Sequence, residues 1–214
     1  MTKTSKQMQE WAAQFGKEYS DRNAVTLEEM ESLYKKQYGL TRTEMNSRFV
    51  ADFDKDVKIL EVGSNIGNQL LCLQKAGFQN LYGIELQSYA VELSKGRTKD
   101  INIIQGSAFD IPFRDDYFDL VFTSGLLIHI SPGDIATALD EIYRCTNKYI
   151  WCFEYFAAEY TRVKYRGHDN LLWKTNFSKL FLDRFDGLEL IREEFFKYVD
   201  NDNVDVMFLL RKKK

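Results

Sequence analysis

The chain of 214 residues is 44% hydrophobic, enough to bury one sizeable core and hardly two, so a single domain over 1–214 is expected. Its 29 basic and 32 acidic side chains leave a formal net charge of -3, which speaks against a broad face for gripping duplex nucleic acid. Apolar runs are broken by charge below the roughly 18 to 20 residues of a membrane helix, and "MTKTSKQMQEW" has no apolar signal core, so a cytoplasmic protein is expected.

From the amino terminus, residues 5–20 read as a polar helix on which Trp11, Phe15 and Tyr19, four apart, make one aromatic stripe. Further helices at 27–37 and 42–53 complete a helical lid or brace over 1–53. Strands and helices then alternate in the rhythm of a parallel sheet: strand 57–62, helix 67–76, strand 81–86, helix 88–98, strand 101–106. A strand at 117–125 precedes a helix after Ser131-Pro132, where serine would cap and proline would fill the first turn. Strand 148–156, a helix at 177–185 and strands 188–196 and 204–212 bring the strands to seven. Cys72, Cys145 and Cys152 sit in apolar surroundings without a CxxC pair or a nearby histidine, so buried thiols are expected and no metal. The RKKK end reads as a solvated tail.

Within this rhythm "KILEVGSNIG" (58–67) turns from strand into a loop bracketed by Gly63 and Gly67, a common way to bring backbone close to a ligand. The GxGxxG spacing is absent, which disfavours NAD. Glu85 ends the next strand 22 residues after Gly63, where a carboxylate can accept from both hydroxyls of a ribose. Plainer alternatives are tight strand-to-helix packing for the glycines and a surface helix cap for Glu85. Glu61 in a buried strand is costly unless paired, so a ligand ammonium or an ordered water suits it.

The pattern Glu-x-Gly-x-x-x-Gly after an apolar strand, followed by Glu85 and by "GSAFDIPFRDDYFDLVFTSGLLIHI" (106–130), resembles the motifs of class I S-adenosylmethionine-dependent methyltransferases. The resemblance implies an α/β fold, Rossmann-like, with a mostly parallel sheet, helices on both faces and an N-terminal helical lid. It implies S-adenosylmethionine as cofactor, held by Glu61, Gly63, Ser64, Asn65, Gly67, Glu85, Leu86, Ser107, Ala108 and Thr123; Tyr19 and Arg22, nearest the end of the aromatic stripe, are the candidates for closing over its methionine part. Asp119 goes to loop structure, and Asp110 either caps a turn or meets the adenine. Ser107 stands where the family usually has an acid, and Asn65 where it often has a glycine.

A closer resemblance runs through "WAAQFGKEYSDRN" (11–23), "EVGSNIGNQL" (61–70), "NKYIWCFEYF" (147–156) and "YRGHDNLLWKTNF" (165–177), which are similar to methyltransferases associated with pseudaminic acid biosynthesis. It implies a small-molecule acceptor, an acidic or nucleotide-linked sugar. Thr175 and Asn176 stand where that family tends to have arginine and aspartate.

Methyl transfer is an in-line displacement, so alignment and exclusion of water matter most, and an alcohol acceptor needs a positioned base as well. His129, just past the fourth strand, and Glu154, near the end of the fifth, are the catalytic candidates, and a basic His129 would titrate near 6.5. A partly buried histidine satisfied by backbone is the plainer alternative for His129, and a surface loop for His168. Tyr155, Arg162, Lys164, Tyr165, Arg166 and His168 are the substrate-binding candidates over about 154–177. If 162–166 is extended, Arg162, Lys164 and Arg166 share one face. Nine aromatics between 149 and 177 suggest a pocket wall, whereas Trp11 is given to core contact. An RNA or protein methyltransferase, or a cofactor-binding protein without catalysis, would share these motifs.

Overall fold

The computed structural model describes residues 6–213; residue 5 of the first expected helix and residue 214 of the basic tail lie outside them. The expected first helix is two, α1 (Lys6–Ala12) and α2 (Gln14–Arg22), parted at Ala13, whose φ -99 and ψ -155 are extended. Nothing in the side-chain pattern marks that break, where the carbonyls of Ala12 and Ala13 accept from the side chain of the distant Gln87. Helices α3 (Leu27–Tyr38) and α4 (Arg42–Val50) start on capping boxes, Thr26 with Glu29 and Thr41 with Glu44. Gly39, left-handed at φ 75, turns the chain between them.

The sheet follows from β1 (Lys58–Val62), β2 (Asn80–Glu85), β3 (Asn102–Gln105), β4 (Phe118–Ser124) and β5 (Thr146–Tyr155). Helices α5 (Asn68–Lys75), α6 (Ser88–Arg97) and α7 (Ile135–Cys145) carry the crossovers. A short pair, β6 (Thr161–Arg162) and β7 (Trp173–Lys174), precedes α8 (Phe177–Arg184), and β8 (Leu188–Lys197) and β9 (Val204–Lys212) close the sheet. The strand order is β3-β2-β1-β4-β5-β9-β8, with β9 antiparallel to both neighbours and the first five strands parallel. The order reverses between β1 and β4, and the crevice outside their carboxyl ends is where ligands enter such sheets.

One apolar cluster, with Leu139, Ile142, Phe177 and Phe181, fills one face of the sheet. The other, with Met45, Phe49, Leu70 and Leu73, puts α4 and α5 on the opposite face. Cys72, Cys145 and Cys152 are buried free thiols. Two expectations are corrected. Ser131 does not cap α7 but donates to Asp134 at 2.8 Å inside a preceding turn that also holds Pro132, so the helix starts three residues beyond the proline. The segment 161–174 folds back on itself through β6 and β7, a pairing too short for strand periodicity to signal.

Candidate functional site

The floor of the site is backbone. The N–H groups of Gly63 and Ser64 both donate to the Ile84 carbonyl, at 2.9 and 3.0 Å, which draws the loop after β1 onto the end of β2. That turn holds Gly63 at φ 75 and Asn65 at φ 47, and a Cβ on Gly63 would come within 2.6 Å of Leu126. Gly67, at φ 85, starts α5. Glu85 then ties the two loops together: one carboxylate oxygen accepts from Asn65 N–H at 2.9 Å and the other from Gln87 N–H at 2.7 Å. Each oxygen keeps a further acceptor direction. Burial pushes its carboxyl above the usual range, against the pull of those backbone donors.

Over this floor lies a cavity of about 300 Å³. Tyr19, Arg22, Glu61, Gly63, Ser64, Asn65, Glu85, Leu86, Ser107 and Ala108 line it, together with His129. Among the described residues, Glu61 Oε2, Ser64 Oγ, Asn65 Oδ1, Gln69 Oε1 and Trp11 Nε1 are buried without a hydrogen-bond partner, and all five belong to residues of its wall. Unsatisfied buried polar atoms are few in folded proteins, so such a cluster in one cavity marks a place for a polar ligand. Burial raises the Glu61 carboxyl well above its ordinary range, opposed by the charge of Arg42. Arg42 is itself wholly buried, its guanidinium 4.5 Å from the Phe153 ring centre and 5.3 Å from that of Tyr34.

His129 sits on the short 3₁₀ turn Leu127–His129. Its Nδ1 lies 2.7 Å from the Leu171 carbonyl oxygen, which can only accept, so Nδ1 carries the proton and Nε2 keeps its lone pair. Burial lowers the imidazole to about 4, not the ordinary 6.5, and the ring is neutral near pH 7. Glu154 is different. It is fully buried, and its carboxylate accepts from Thr123 Oγ at 2.8 Å and from the N–H groups of Leu126 and Ile128 at 3.2 and 3.3 Å. It braces the loop beneath His129 from outside the cavity wall, which corrects the expectation that it orients an acceptor. Thr123, 1% exposed and turned to Glu154, belongs to the same brace and not to the cofactor wall, where Ser124 and Gly125 stand instead. Gly67 also lies outside the cavity wall and serves the loop as a packed N-cap, its Cβ direction closed by Ile103 and Thr98 at 2.8 and 2.9 Å. Asp119 accepts from Lys58 N–H at 2.9 Å, a structural role as expected.

None of Tyr155, Arg162, Lys164, Tyr165, Arg166 and His168 lines the cavity. Tyr165 and His168 exchange both backbone hydrogen bonds, at 2.8 and 2.9 Å, across a two-residue turn whose centre is Arg166 at φ 49 and Gly167 at φ 89. The extension therefore ends at Tyr165. Arg162 and Lys164 remain on one exposed face, and Arg166 leaves it for the turn. The hairpin nevertheless leans on the site, with the Tyr165 ring centre 5.4 Å from His129 and the His168 ring 5.2 Å from Phe15. The aromatic wall expected from 149–177 is mostly core, since Trp151, Phe153, Trp173 and Phe177 are buried. The cavity takes its aromatics from Trp11, Tyr19, Tyr34 and Phe109 instead. Trp11, expected in core contact, lies 4.5 Å from the His129 ring and lines the cavity together with Tyr19 of the same stripe. Gln7, Gln69 and Gln87 were not anticipated, because a glutamine in a helix or a loop carries no pattern of its own.

Residues 60–150 match the family model of a methyltransferase domain, Methyltransf_11. An uncharacterized protein of Haemophilus influenzae is 26% identical over 98 residues, which are 43% of this chain and 39% of that protein, so the match spans under half of either. Among solved structures, a chain from a Haloferax volcanii complex between a methyltransferase activator and a candidate methyltransferase aligns at TM-score 0.71 and 15% identity, covering 92% of this chain and 96% of its own. Magnesium protoporphyrin IX methyltransferase of Synechocystis, with S-adenosylmethionine bound, aligns at 0.68 and 11%, covering 96% and 95%. The cyclase SpnF aligns at 0.63 and 15%, covering 80% and 79%. At these identities the structures share the fold.

Proposed function

We propose that this chain, which matches a methyltransferase domain over residues 60–150 and shares its fold with solved methyltransferases, binds S-adenosylmethionine in the Gly63 cavity and passes the methyl group to a small-molecule acceptor, an acidic or nucleotide-linked sugar of the nonulosonic type. The observation that carries the cofactor is Glu85, a partly buried carboxylate fixed by two backbone donors, with unpartnered polar atoms ranged beside it. S-adenosylmethionine is the cofactor, and it supplies a methyl group on a positively charged sulfur. Glu85 takes the ribose hydroxyls, Glu61 the ammonium of the methionine part, and Leu86, Ser107, Ala108 and Phe109 flank the base. Tyr19 and Arg22 cover the methionine part.

The protein's share of the chemistry is alignment and a dry site. His129 offers a lone pair to a hydroxyl hydrogen, and because the ring is neutral far below neutral pH it is ready throughout the physiological range. The expected rise in rate through 6.5 is thereby replaced by a profile without a histidine limb between pH 6 and 8. The sugar reading rests on the resemblance of segments 147–156 and 165–177 and on the exposed Arg162, Lys164 and Arg166 beside the site. The test is transfer of a labelled methyl group to free N-acetylneuraminic acid, to its CMP-activated form and to bulk RNA. Label in a sugar fraction supports the reading. Label in RNA alone overturns the acceptor, and absence of cofactor binding overturns the whole assignment. The shared fold of a cyclase keeps the alternative of a cofactor-binding protein with no methyl transfer, which would show binding in calorimetry and no label in any acceptor fraction.

A further inference from the structure

The cavity is roofed by α1 and α2, and one side chain holds the joint between them. Gln87 follows the ribose carboxylate by two residues and is 6% exposed. Its Nε2 donates to the carbonyls of Ala12 and Ala13 at 3.0 and 2.9 Å, with that of Trp11 at 3.5 Å. These belong to the last turn of α1 and the break before α2, acceptors that a helix end leaves without intrahelical partners. Its Oε1 accepts from Tyr89 N–H at 3.2 Å, so both ends of the amide are assigned by their partners. Its backbone N–H, finally, is one of the two donors on Glu85.

The joint has little freedom around that contact. A Cβ on Gly16 would fall 1.8 Å from the Trp11 carbonyl oxygen and 3.3 Å from Gln87 Nε2, so α2 reaches the end of α1 only because residue 16 has no side chain. The far end of α1 is fixed separately. Gln7 donates to the His129 carbonyl and accepts from Ser131 N–H at 3.1 Å, and Trp11 packs on the His129 ring. A ligand seated on Glu85 therefore lies under a roof attached by an amide at each end.

We propose that Gln87 is a positioning residue that couples occupancy of Glu85 to closure of α1 and α2 over the cofactor. The proposal rests on the cofactor reading above. Glu85 with no ligand leaves a partly buried carboxylate with acceptor directions open, while the backbone of 85–87 is tied to β3 by Gly106 N–H on the Glu85 carbonyl and by Gln105 Nε2 on that of Leu86. With ribose hydroxyls on both oxygens the loop has one position, and the Gln87 side chain leaves that position directly onto the joint. Closure follows the ribose and not the transferred methyl group, so the demethylated product closes the roof as well as the cofactor does.

The experiment is amide hydrogen exchange of the full chain over residues 7–22, with and without S-adenosylhomocysteine, in the native protein, Gln87→Leu and Gln87→Glu. In the native protein the ligand slows exchange there by about tenfold or more. In both variants the slowing falls below about threefold, while calorimetry shows affinity reduced by less than about tenfold. The Glu variant keeps the size and presents an anion to the three carbonyls, so it reports on the donor even if the Leu variant folds poorly. Slowing that persists in Gln87→Glu, or a native segment equally protected with and without ligand, overturns the coupling. Failure of the native protein to bind the probe at all, seen in the calorimeter, marks failure of the cofactor reading instead.

Discussion

Glu85 and Glu154 invite comparison because they begin alike and finish differently. Each lies at or next to the last residue of a parallel strand, each is largely or wholly covered, and burial raises both carboxyls. Glu154 spends its acceptors inward, on one hydroxyl and two N–H groups of the loop that carries His129. Glu85 accepts from one N–H on each oxygen and faces the cavity with the rest. Strand position is the same; the number of local donors leaves Glu154 a brace and Glu85 with acceptors open to the cavity, the basis on which it is proposed to hold the ribose.

The sharpest way to break this contrast is to remove the brace. Glu154→Ala leaves three donors unpaired and a void, which destabilises the fold by on the order of 4 kcal/mol near pH 5 in denaturant titration. The deficit is pH-dependent. Folded, Glu154 titrates at about 7, above the ordinary 4.5, so the native state holds this proton more tightly than the unfolded chain. Its contribution is fully present below about 4.5 and is lost as pH rises through 7, so the gap between the two proteins narrows by on the order of 2 kcal/mol between pH 5 and 7. His129, lowered to about 4, imposes the opposite slope in both proteins and cancels in the difference. A gap that widens with pH would mean that the carboxylate form is the better brace.

Removing the ligand acid gives a smaller and differently placed effect. Glu85→Ala lowers affinity for S-adenosylhomocysteine by about tenfold or more, since two hydrogen bonds to a charged group are worth on the order of 1.5 to 3 kcal/mol. Stability without ligand changes less than in Glu154→Ala. Unchanged affinity in calorimetry would remove the ribose from Glu85.

The same contrast marks what the sequence disclosed. The seven strands and the Gly63 loop were legible because alternation of strand and helix and the glycine spacing are local signals. The grouping of Glu61, Ser64, Asn65 and Glu85 around one cavity was expected from the resemblance to methyltransferase motifs. What was not legible came from contacts between distant segments. The break at Ala13 presents its carbonyl to Gln87, 74 residues further on, a contact that no periodicity records. The inward turn of Glu154 depends on the conformation of 124–128. Arg166 falls on a strand face only if alternation is carried one residue too far, into a turn that Gly167 makes possible. Trp11 was given to the core since a stripe on a helix does not say whether it faces apolar packing or a cavity.

Thr123 sharpens the comparison at its smallest scale. It precedes the cavity-lining Ser124 and lies on the strand that carries the family's fourth motif, which placed it in the cofactor wall. Its hydroxyl instead donates to Glu154 at 2.8 Å, from a residue 1% exposed. Thr123→Val keeps the shape and removes that one donor, and Glu154 retains its two N–H partners. The loss is about 1 kcal/mol in denaturant titration, the net worth of one hydrogen bond of this kind. The Glu154 carboxyl rises further, because the Thr123 hydroxyl is among the groups that hold it down. Affinity for S-adenosylhomocysteine stays within about twofold, as the altered atom meets Glu154 and the buried Cys152 thiol and not the cavity. A fall in affinity beyond that, with stability unchanged, would return Thr123 to the cofactor wall and make the fourth strand's end part of the ligand floor.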